Sequence, residues 1–293
     1  MSIDLDAVTA IDTHVHIETD GQGNYALDQE LLDASAAYFK NEAGPGRAPT
    51  VDQIAEHYRG QRLAAVVFTV DAHRATGHPA LSGTRLLEQV GHHPDVLVPF
   101  CSVDPTAGAE AVALLRDLAA GGARGLKLHP SVQAFAPNDP ALYPLYEAAA
   151  ELGLPIVFHT GQTGIGAGMP GGRGIRLRYS DPMLIDDVAA DLPSLTVILA
   201  HPSVPWQDSA ISMATHKANV YIDLSGWSPK YFAPQLVRAI NGLLKRKVLF
   251  GSDFPLLTPQ RWLADFERLE IKPEVRPLVL KENAAGVLGL RHG

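Results

Sequence analysis

Cysteine, positive charge and long apolar runs are all scarce in this sequence. Cys101 is the single cysteine, so an internal disulfide is excluded. There are 24 Lys and Arg against 32 Asp and Glu, a net charge of −8, which argues against binding to a phosphate backbone. No apolar run approaches the about 18 residues of a membrane-spanning helix, and the amino terminus lacks the basic and apolar regions of a signal peptide. We therefore expect a cytoplasmic protein with neither a nucleic acid nor a membrane as partner.

The composition is that of an ordinary folded protein, with 46% hydrophobic and 19% charged residues in a chain of 293. Apolar, β-branched runs predict eight buried strands, near residues 8–17, 63–71, 95–103, 123–129, 154–160, 195–201, 218–225 and 247–253. Helical periodicity begins at Pro105 and stops at Gly121. Further helices are predicted near 83–93, 138–152, 181–191, 207–216, 231–244 and 259–269.

Continuous apolar strands separated by single helices are typical of a parallel sheet whose outer face is covered by helices. Eight such units predict a closed (β/α)8 TIM barrel, with a doubly wound open sheet as the alternative. No linker divides the sequence, so one domain over residues 1–293 is expected. Residues 18–62, with the turn-rich stretch 41–47, and the Gly-rich run 161–174 follow strand ends and are candidate lids. A helical segment near 273–289 is expected to close the barrel bottom.

Histidines lie at the predicted carboxyl ends of several strands. His14 and His16 are two residues apart and share one face of the first strand, which suggests half a metal site or a hydrogen-bonded pair of core histidines. His159, His201 and Asp253 end the fifth, sixth and eighth strands at equivalent depth. Imidazole and carboxylate donors suit Zn²⁺ or a similar divalent ion such as Mn²⁺, with open positions left for water. The strand ends together therefore predict a metal site.

The sequence resembles the amidohydrolase superfamily, in the branch that includes aminocarboxymuconate semialdehyde decarboxylase. The resemblance rests on Asp-Thr-His-Val-His at 12–16, Phe-His-Thr-Gly at 158–161, Ala-His-Pro at 200–202 and Phe-Gly-Ser-Asp-Phe-Pro at 250–255. It implies that His14, His16, His159 and Asp253 bind one ion and that His201 is a catalytic acid/base. The branch contains decarboxylases, lactonases, hydratases and C–C hydrolases, so the reaction stays open. Dimers are common in the branch, which implies a homodimer.

A narrower resemblance is to 4-hydroxyphenyl-β-ketoacyl-CoA hydrolases. It rests on segments at 49–51, 67–71, 127–130, 202–208 and 223–230 and on the Gly-rich run after His159. It implies that the substrate is an aryl CoA thioester from the degradation of aromatic compounds.

Lys127 and His129 end the fourth strand on one face. In binuclear members of the superfamily a lysine at this strand is carboxylated and bridges two ions, whereas the nearer branch implies a mononuclear site, which we favour. Otherwise the two side chains could bind a substrate carboxylate or carbonyl, or form a buried pair in the barrel mouth.

Other residues of the predicted top face are candidates for substrate contact. Trp227, in the loop after the seventh strand, could pack on an aromatic ring or close the barrel rim. Arg173 and Arg176, beside the Gly-rich run, and Arg47 could bind the phosphates of a CoA thioester, because guanidinium groups match phosphate oxygens; a solvated basic loop is the alternative. Asp223 could contact substrate or hold another side chain.

The hypothesis from the sequence is a mononuclear, metal-dependent hydrolase. Metal-bound hydroxide would attack a carbonyl carbon, His201 or the metal would polarise the carbonyl oxygen, and Asp253 would take the proton of the water. An aryl β-ketoacyl-CoA would then yield an aryl acid and acetyl-CoA. A non-oxidative decarboxylase, a lactonase and a catalytically inactive binding barrel are the alternatives.

Overall fold

The computed structural model describes residues 3–39 and 48–290. All eight predicted strands are present in this part of the chain, each shorter than its apolar run. Their bounds are β1 Ala10–His16, β2 Leu63–Phe68, β3 Leu97–Pro99, β4 Leu126–Leu128, β5 Ile156–His159, β6 Val197–Ala200, β7 Val220–Asp223 and β8 Val248–Leu249.

The strands form a closed parallel barrel. Hydrogen bonds order them as β1-β2-β3 and β4-β5-β6-β7-β8. A parallel bridge between Cys101 and Leu126 joins the two groups at one seam, and a bridge between Val15 and Phe254 joins them at the other. The predicted (β/α)8 TIM barrel is thus confirmed, and the open sheet is excluded. Because every strand runs the same way, the carboxyl ends of all eight meet at one face.

Helices cover the outside of the barrel. In the described residues they are α1 Gln29–Phe39, α2 Val51–Gly60, α3 His73–Thr76, α4 Gly83–Gly91, α5 Ala109–Ala120, α6 Tyr143–Glu151, α7 Met183–Asp191, α8 Gln207–His216, α9 Pro234–Ile240, α10 Pro259–Glu267 and α11 Asn283–Val287. No helix in these stretches is long and apolar enough to cross a membrane.

The two segments that were predicted to be lids, residues 18–62 and 161–174, contain more regular structure than the sequence analysis predicted. Residues 18–62 hold α1 and α2, and α2 begins with a capping box between Thr50 and Gln53 that satisfies two free backbone N–H groups. The stretch 41–47 lies outside the described residues. The Gly-rich run includes a short 3₁₀ turn, Pro170–Gly174, with left-handed backbone at three positions.

The barrel interior and its bottom share one hydrophobic cluster. Val66, Val157, Ile198 and Leu249, from β2, β5, β6 and β8, point inward, and Ile3, Leu5, Ala284, Ala285 and Leu288 pack beneath them. The predicted terminal helix is a π-helical turn, Leu278–Glu282, followed by α11. These contacts place α11 at the bottom of the barrel, opposite the carboxyl ends of the strands.

Candidate metal centre and active-site cavity

A cavity of about 160 Å³ opens at the carboxyl ends of the strands. Its walls come from the extension of β1, from α1 and from the loops after β2, β4, β5, β6, β7 and β8. Of the residues proposed from sequence, the cavity is lined by His16, His129, His159, His201, Trp227 and Asp253. The predicted cluster therefore lies at the carboxyl-terminal face of the barrel, where TIM-barrel enzymes have their active sites.

His14, His16 and Asp253 form a compact group at the floor of this cavity. Oδ1 of Asp253 lies 3.3 Å from Nε2 of His14 and 3.0 Å from Nε2 of His16. Ligand atoms bonded to one tetrahedral ion at 2.0–2.1 Å lie about 3.3 Å apart. The three side chains are thus spaced as ligands of a single divalent ion, with two imidazoles and one carboxylate as donors.

His159 lies beside this group and leaves one nitrogen unused. Its Nδ1 is 3.0 Å from Nε2 of His201, whereas its buried Nε2 has no hydrogen-bond partner among the described residues. A buried polar atom without a partner is costly. The unpartnered Nε2 of His159 is a donor atom available to a ligand of the cavity, whereas the compact group of potential metal ligands among the described residues comprises His14, His16 and Asp253.

Asp223 contacts Nδ1 of His14 and fixes the orientation of its ring. Its Oδ2 lies 2.6 Å from Nδ1 of His14, and its Oδ1 accepts a hydrogen bond from the backbone N–H of Ser225 at 2.7 Å. With Nδ1 held in this way, Nε2 of His14 is directed toward Asp253 and would be the nitrogen that faces a bound ion. Of the two roles considered for Asp223, the structure supports holding another side chain, because Asp223 is fully buried.

The side chains of Lys127 and His129 lie in different environments. Lys127 is fully buried, with Nζ 3.3 Å from Nε2 of His14 and 4.8 Å from the centroid of the Phe68 ring. Burial lowers the pKa of Lys127, because the charged amine loses its water. His129 stacks on His159 with ring centroids 3.7 Å apart and borders the cavity. His129 can therefore reach a substrate in the cavity, whereas Lys127 lies beneath the ligand group.

His201 is held between two partners. Its Nδ1 lies 2.9 Å from Oγ of Ser225, and its Nε2 faces His159. Burial lowers the pKa of His201 to about 4, so the ring is neutral at pH 7. Its backbone is left-handed, with φ 71°, as is that of Asp253. Such strained conformations cluster at functional sites.

Two acidic residues near the centre were given no role in the sequence analysis, although Asp12 belongs to the motif at 12–16. Asp12 accepts hydrogen bonds from Tyr58 Oη at 2.7 Å and from the backbone N–H of Ser252 at 2.9 Å, and so ties β1 to α2 and to the loop after β8. Burial raises the pKa of Asp12 to about 6. Glu18 lines the cavity two residues after His16, and burial raises its pKa too. The two-residue spacing from His16 was the available signal for Glu18.

Arg173 and Arg176, two of the arginines proposed for CoA phosphates, do not line the cavity. Nη1 of Arg173 lies 2.7 Å from both carboxylate oxygens of Asp28, which ties the Gly-rich run to the segment before α1. Arg176 is exposed and neighbours Tyr179, whose pKa is lowered chiefly by a hydrogen bond from Arg178. Arg47 lies outside the described residues.

Fold and site together define a TIM-barrel enzyme with a His-His-Asp group suited to a divalent ion. The family model described as amidohydrolase matches residues 11–290. The chain therefore belongs to the amidohydrolase family, whose members are metal-dependent enzymes. No curated protein matches the sequence.

Solved structures show the same fold at low sequence identity. An uncharacterised TIM-barrel protein of Bordetella bronchiseptica is 23% identical, with 96% of this chain and 98% of that one covered and a TM-score of 0.78. A 5-carboxyvanillate decarboxylase of Novosphingobium aromaticivorans with bound manganese is 12% identical, with 99% and 100% covered and a TM-score of 0.69. A probable 2-pyrone-4,6-dicarboxylic acid hydrolase of Acinetobacter baumannii is 16% identical, with 97% and 100% covered and a TM-score of 0.63.

Proposed function

We propose that this protein is a metal-dependent hydrolase that cleaves a bond at a carbonyl carbon of a small aromatic substrate. The observation that carries the proposal is the spacing of His14, His16 and Asp253 at the floor of a cavity that His201 also lines. We further propose one ion per chain, with His159 as the fourth ligand. Either Zn²⁺ or Mn²⁺ suits the donor set.

A divalent ion bound there would supply Lewis acidity, polarising a carbonyl oxygen and lowering the pKa of water. Asp253 directs Oδ1 toward the two Nε2 atoms, which leaves Oδ2 as an acceptor for the proton of the attacking water. If His159 uses Nε2 as a ligand, its ring proton is on Nδ1 and is donated to Nε2 of His201. That hydrogen bond and the one to Ser225 set the orientation of the His201 ring beside the carbonyl.

The cavity walls suit an aromatic acyl group. Trp227 and apolar side chains from α1 and from the loop after β5, including Leu32 and Ile165, surround the polar floor. Burial of a ring against such walls stabilises binding by about 25 cal/mol per Å² of apolar surface. We propose an aryl β-ketoacyl-CoA as the first substrate class to test, with the aryl ketone in the cavity and the CoA moiety outside it.

In this reaction the water oxygen bonds to the keto carbon, and the bond from that carbon to the α carbon breaks. The α carbon leaves as a thioester enolate and takes up the proton held on Asp253, which gives an aryl carboxylic acid and acetyl-CoA. His129, stacked on His159 at the cavity wall, is placed to contact the substrate.

Non-oxidative decarboxylation is the second candidate, favoured by the likeness to a manganese-containing decarboxylase. The test is metal analysis by plasma mass spectrometry on protein purified without chelators, paired with chelation and add-back assays on an aryl β-ketoacyl-CoA and on a hydroxylated aromatic carboxylate. We expect about one ion per chain and metal-dependent release of acetyl-CoA. Release of CO₂ from the carboxylate, with no action on the thioester, would contradict the hydrolase and support the decarboxylase.

A further inference from the structure

A second cavity, of about 390 Å³, lies beside the loops after β2 and β3 and beside α5. It has no lining residue in common with the active-site cavity. Its lining is partly apolar, with Val103, Ala111 and Leu114 among the contributing side chains, and partly charged. The proposed reaction makes no use of this cavity, so its chemistry is considered by itself.

The ionisable groups of this lining are mainly acidic. They are Asp71, His73, Arg74, Asp104 and Glu110. Nη2 of Arg74 lies 3.0 Å from Oε2 of Glu110, so this arginine already has a carboxylate partner. The pKa of Asp71 is raised, chiefly by burial and further by the charge of Asp104, and the hydrogen bond from the backbone N–H of His73 and the charge of its ring oppose this shift without cancelling it. Asp71 and Asp104 are therefore the carboxylates that a cationic ligand would stabilise.

Asp104 has a carboxylate oxygen without a donor. Only 6% of the residue is exposed. Its Oδ1 accepts hydrogen bonds from the backbone N–H of Thr106 at 2.9 Å and from Oγ1 of Thr106 at 2.6 Å. Its Oδ2 is buried and has no hydrogen-bond partner among the described residues. A buried acceptor without a donor is costly, so a ligand that brings an N–H group into the cavity would remove that cost.

The side chain of Gln133 holds the two loops together. Its Nε2 donates hydrogen bonds to the backbone carbonyls of Asp71 at 2.7 Å and of Val103 at 2.9 Å. The backbone N–H of Asp71 in turn donates to Oγ of Ser102 at 3.0 Å. Asp71 and Asp104 are thus fixed near each other before a ligand binds, which reduces the ordering cost of binding.

The arrangement favours an organic cation over a metal ion. Among the described residues, the compact group of potential metal ligands is His14, His16 and Asp253, and the carboxylates of the second cavity do not belong to such a group. A primary ammonium group has three N–H donors that point in different directions, so it can serve two carboxylates that are not close enough for one ion. The apolar part of the lining would cover an alkyl chain attached to it.

We propose that the second cavity binds a small primary alkylammonium ion, with the ammonium group between Asp71 and Asp104 and the alkyl chain against Ala111 and Leu114. This site is distinct from the metal centre, and the proposal does not depend on the reaction proposed above.

The test is a titration of ¹⁵N-labelled, Zn²⁺-loaded protein with pentylamine, 1-pentanol and pentanoate, followed by two-dimensional ¹H–¹⁵N NMR. The probes have chains of equal length and differ in charge. Pentylamine should shift the amide signals of residues 71–74 and 103–107 and should bind there about tenfold more tightly than 1-pentanol, because charge-assisted hydrogen bonds are the stronger ones. Pentanoate should not shift them. Equal affinities for pentylamine and 1-pentanol, or a response confined to the indole signal of Trp227 in the active-site cavity, would overturn the proposal.

Two variants remove the charge and keep an acceptor oxygen. Asp104→Asn can still accept from Thr106, and Asp71→Asn can still accept from His73. Each should weaken pentylamine binding about tenfold and leave 1-pentanol unchanged. Asp117→Asn, which alters an exposed carboxylate on α5, is the matched control and should leave both affinities unchanged. Pentylamine affinities within twofold of wild type in the two cavity variants would overturn the proposal. If Asp104→Asn does not fold, Asp71→Asn decides the matter.

Discussion

Nδ1 of His14 lies 2.6 Å from Oδ2 of Asp223, and both side chains are fully buried. This contact orients the ring, and we expect Asp223→Asn to weaken metal binding by about 10–100-fold, the usual cost of losing such a supporting partner. Competition with a chromophoric chelator measures the change. Asp187→Asn, which alters an exposed carboxylate on α7, is the matched control. An affinity within twofold of wild type would show that Asp223 does not support the ligand.

Removal of the ion should lower thermal stability. A ligand present at 100 times its Kd stabilises the folded state by about 2.7 kcal/mol, so chelation should reduce Tm by several degrees and add-back should restore it. Differential scanning calorimetry measures this shift, and His16→Ala should abolish it. In the metal analysis, a stoichiometry of two ions per chain would contradict the mononuclear site and point to a carboxylated Lys127.

His201 should matter for turnover more than for metal binding. His201→Asn removes the ring proposed to polarise the carbonyl oxygen, and we expect kcat on an aryl β-ketoacyl-CoA to fall by about 10²–10³-fold with the metal retained. Ser225→Ala leaves the ring in place without its hydrogen bond at Nδ1, so a smaller loss in kcat with little change in KM is expected. Unchanged turnover in His201→Asn would remove this role.

Gly226 leaves no room for a side chain next to His201. Its φ is +72°, and an added Cβ would lie 2.5 Å from Nδ1 of His201. Gly226→Ala should therefore displace His201 and cost about 1–3 kcal/mol of unfolding free energy from backbone strain. Gly60→Ala, at the end of α2 where a Cβ meets nothing within 4 Å, is the matched control and should be neutral or stabilising. Urea denaturation measures the unfolding free energy of both variants. Equal unfolding free energies for Gly226→Ala and Gly60→Ala would contradict the close approach of Gly226 to His201.

Arg173 has two candidate roles: an ion pair with Asp28 that holds the Gly-rich run in place, and binding of CoA phosphates. If it ties the Gly-rich run to the segment before α1, Arg173→Gln should speed proteolysis within 161–174, and the exchanged pair Arg173→Asp with Asp28→Arg should restore protection. Partly exposed pairs contribute about 1 kcal/mol or less, so Tm should hardly move. A higher KM for a CoA thioester but not for its truncated analogue would instead support phosphate binding.

The strands and the residues at their ends could be predicted from the pattern of residues along the sequence. The apolar runs predicted all eight strands because parallel strands in a barrel are buried on both faces. The period of two placed His14 and His16 on one side, and the matching positions of His159, His201 and Asp253 pointed to the same face. The helices α1 and α2 went unpredicted, because the long connection after β1 was interpreted as a lid.

The partners of these residues did not follow from the pattern. Asp223 is 209 residues from His14 in the chain, and only barrel closure brings their side chains into contact. Arg173 was expected either to bind phosphate or to lie in a solvated basic loop, but it pairs with Asp28, which lies 145 residues away in the chain. Glu18 could have been found by extending the two-residue period past the end of β1, but its place in the lining of the active-site cavity is visible only in the folded structure.

The sequence by itself determined the barrel and brought out the histidine and aspartate side chains at the strand ends, because local hydrophobic periodicity and residue type depend only on neighbours along the chain. The tertiary structure decided which nitrogen of His14 is held by Asp223, which arginine is already paired and which carboxylates line the active-site cavity. Those properties depend on burial and on distances between segments far apart in the chain, and these exist only once the eight strands have closed.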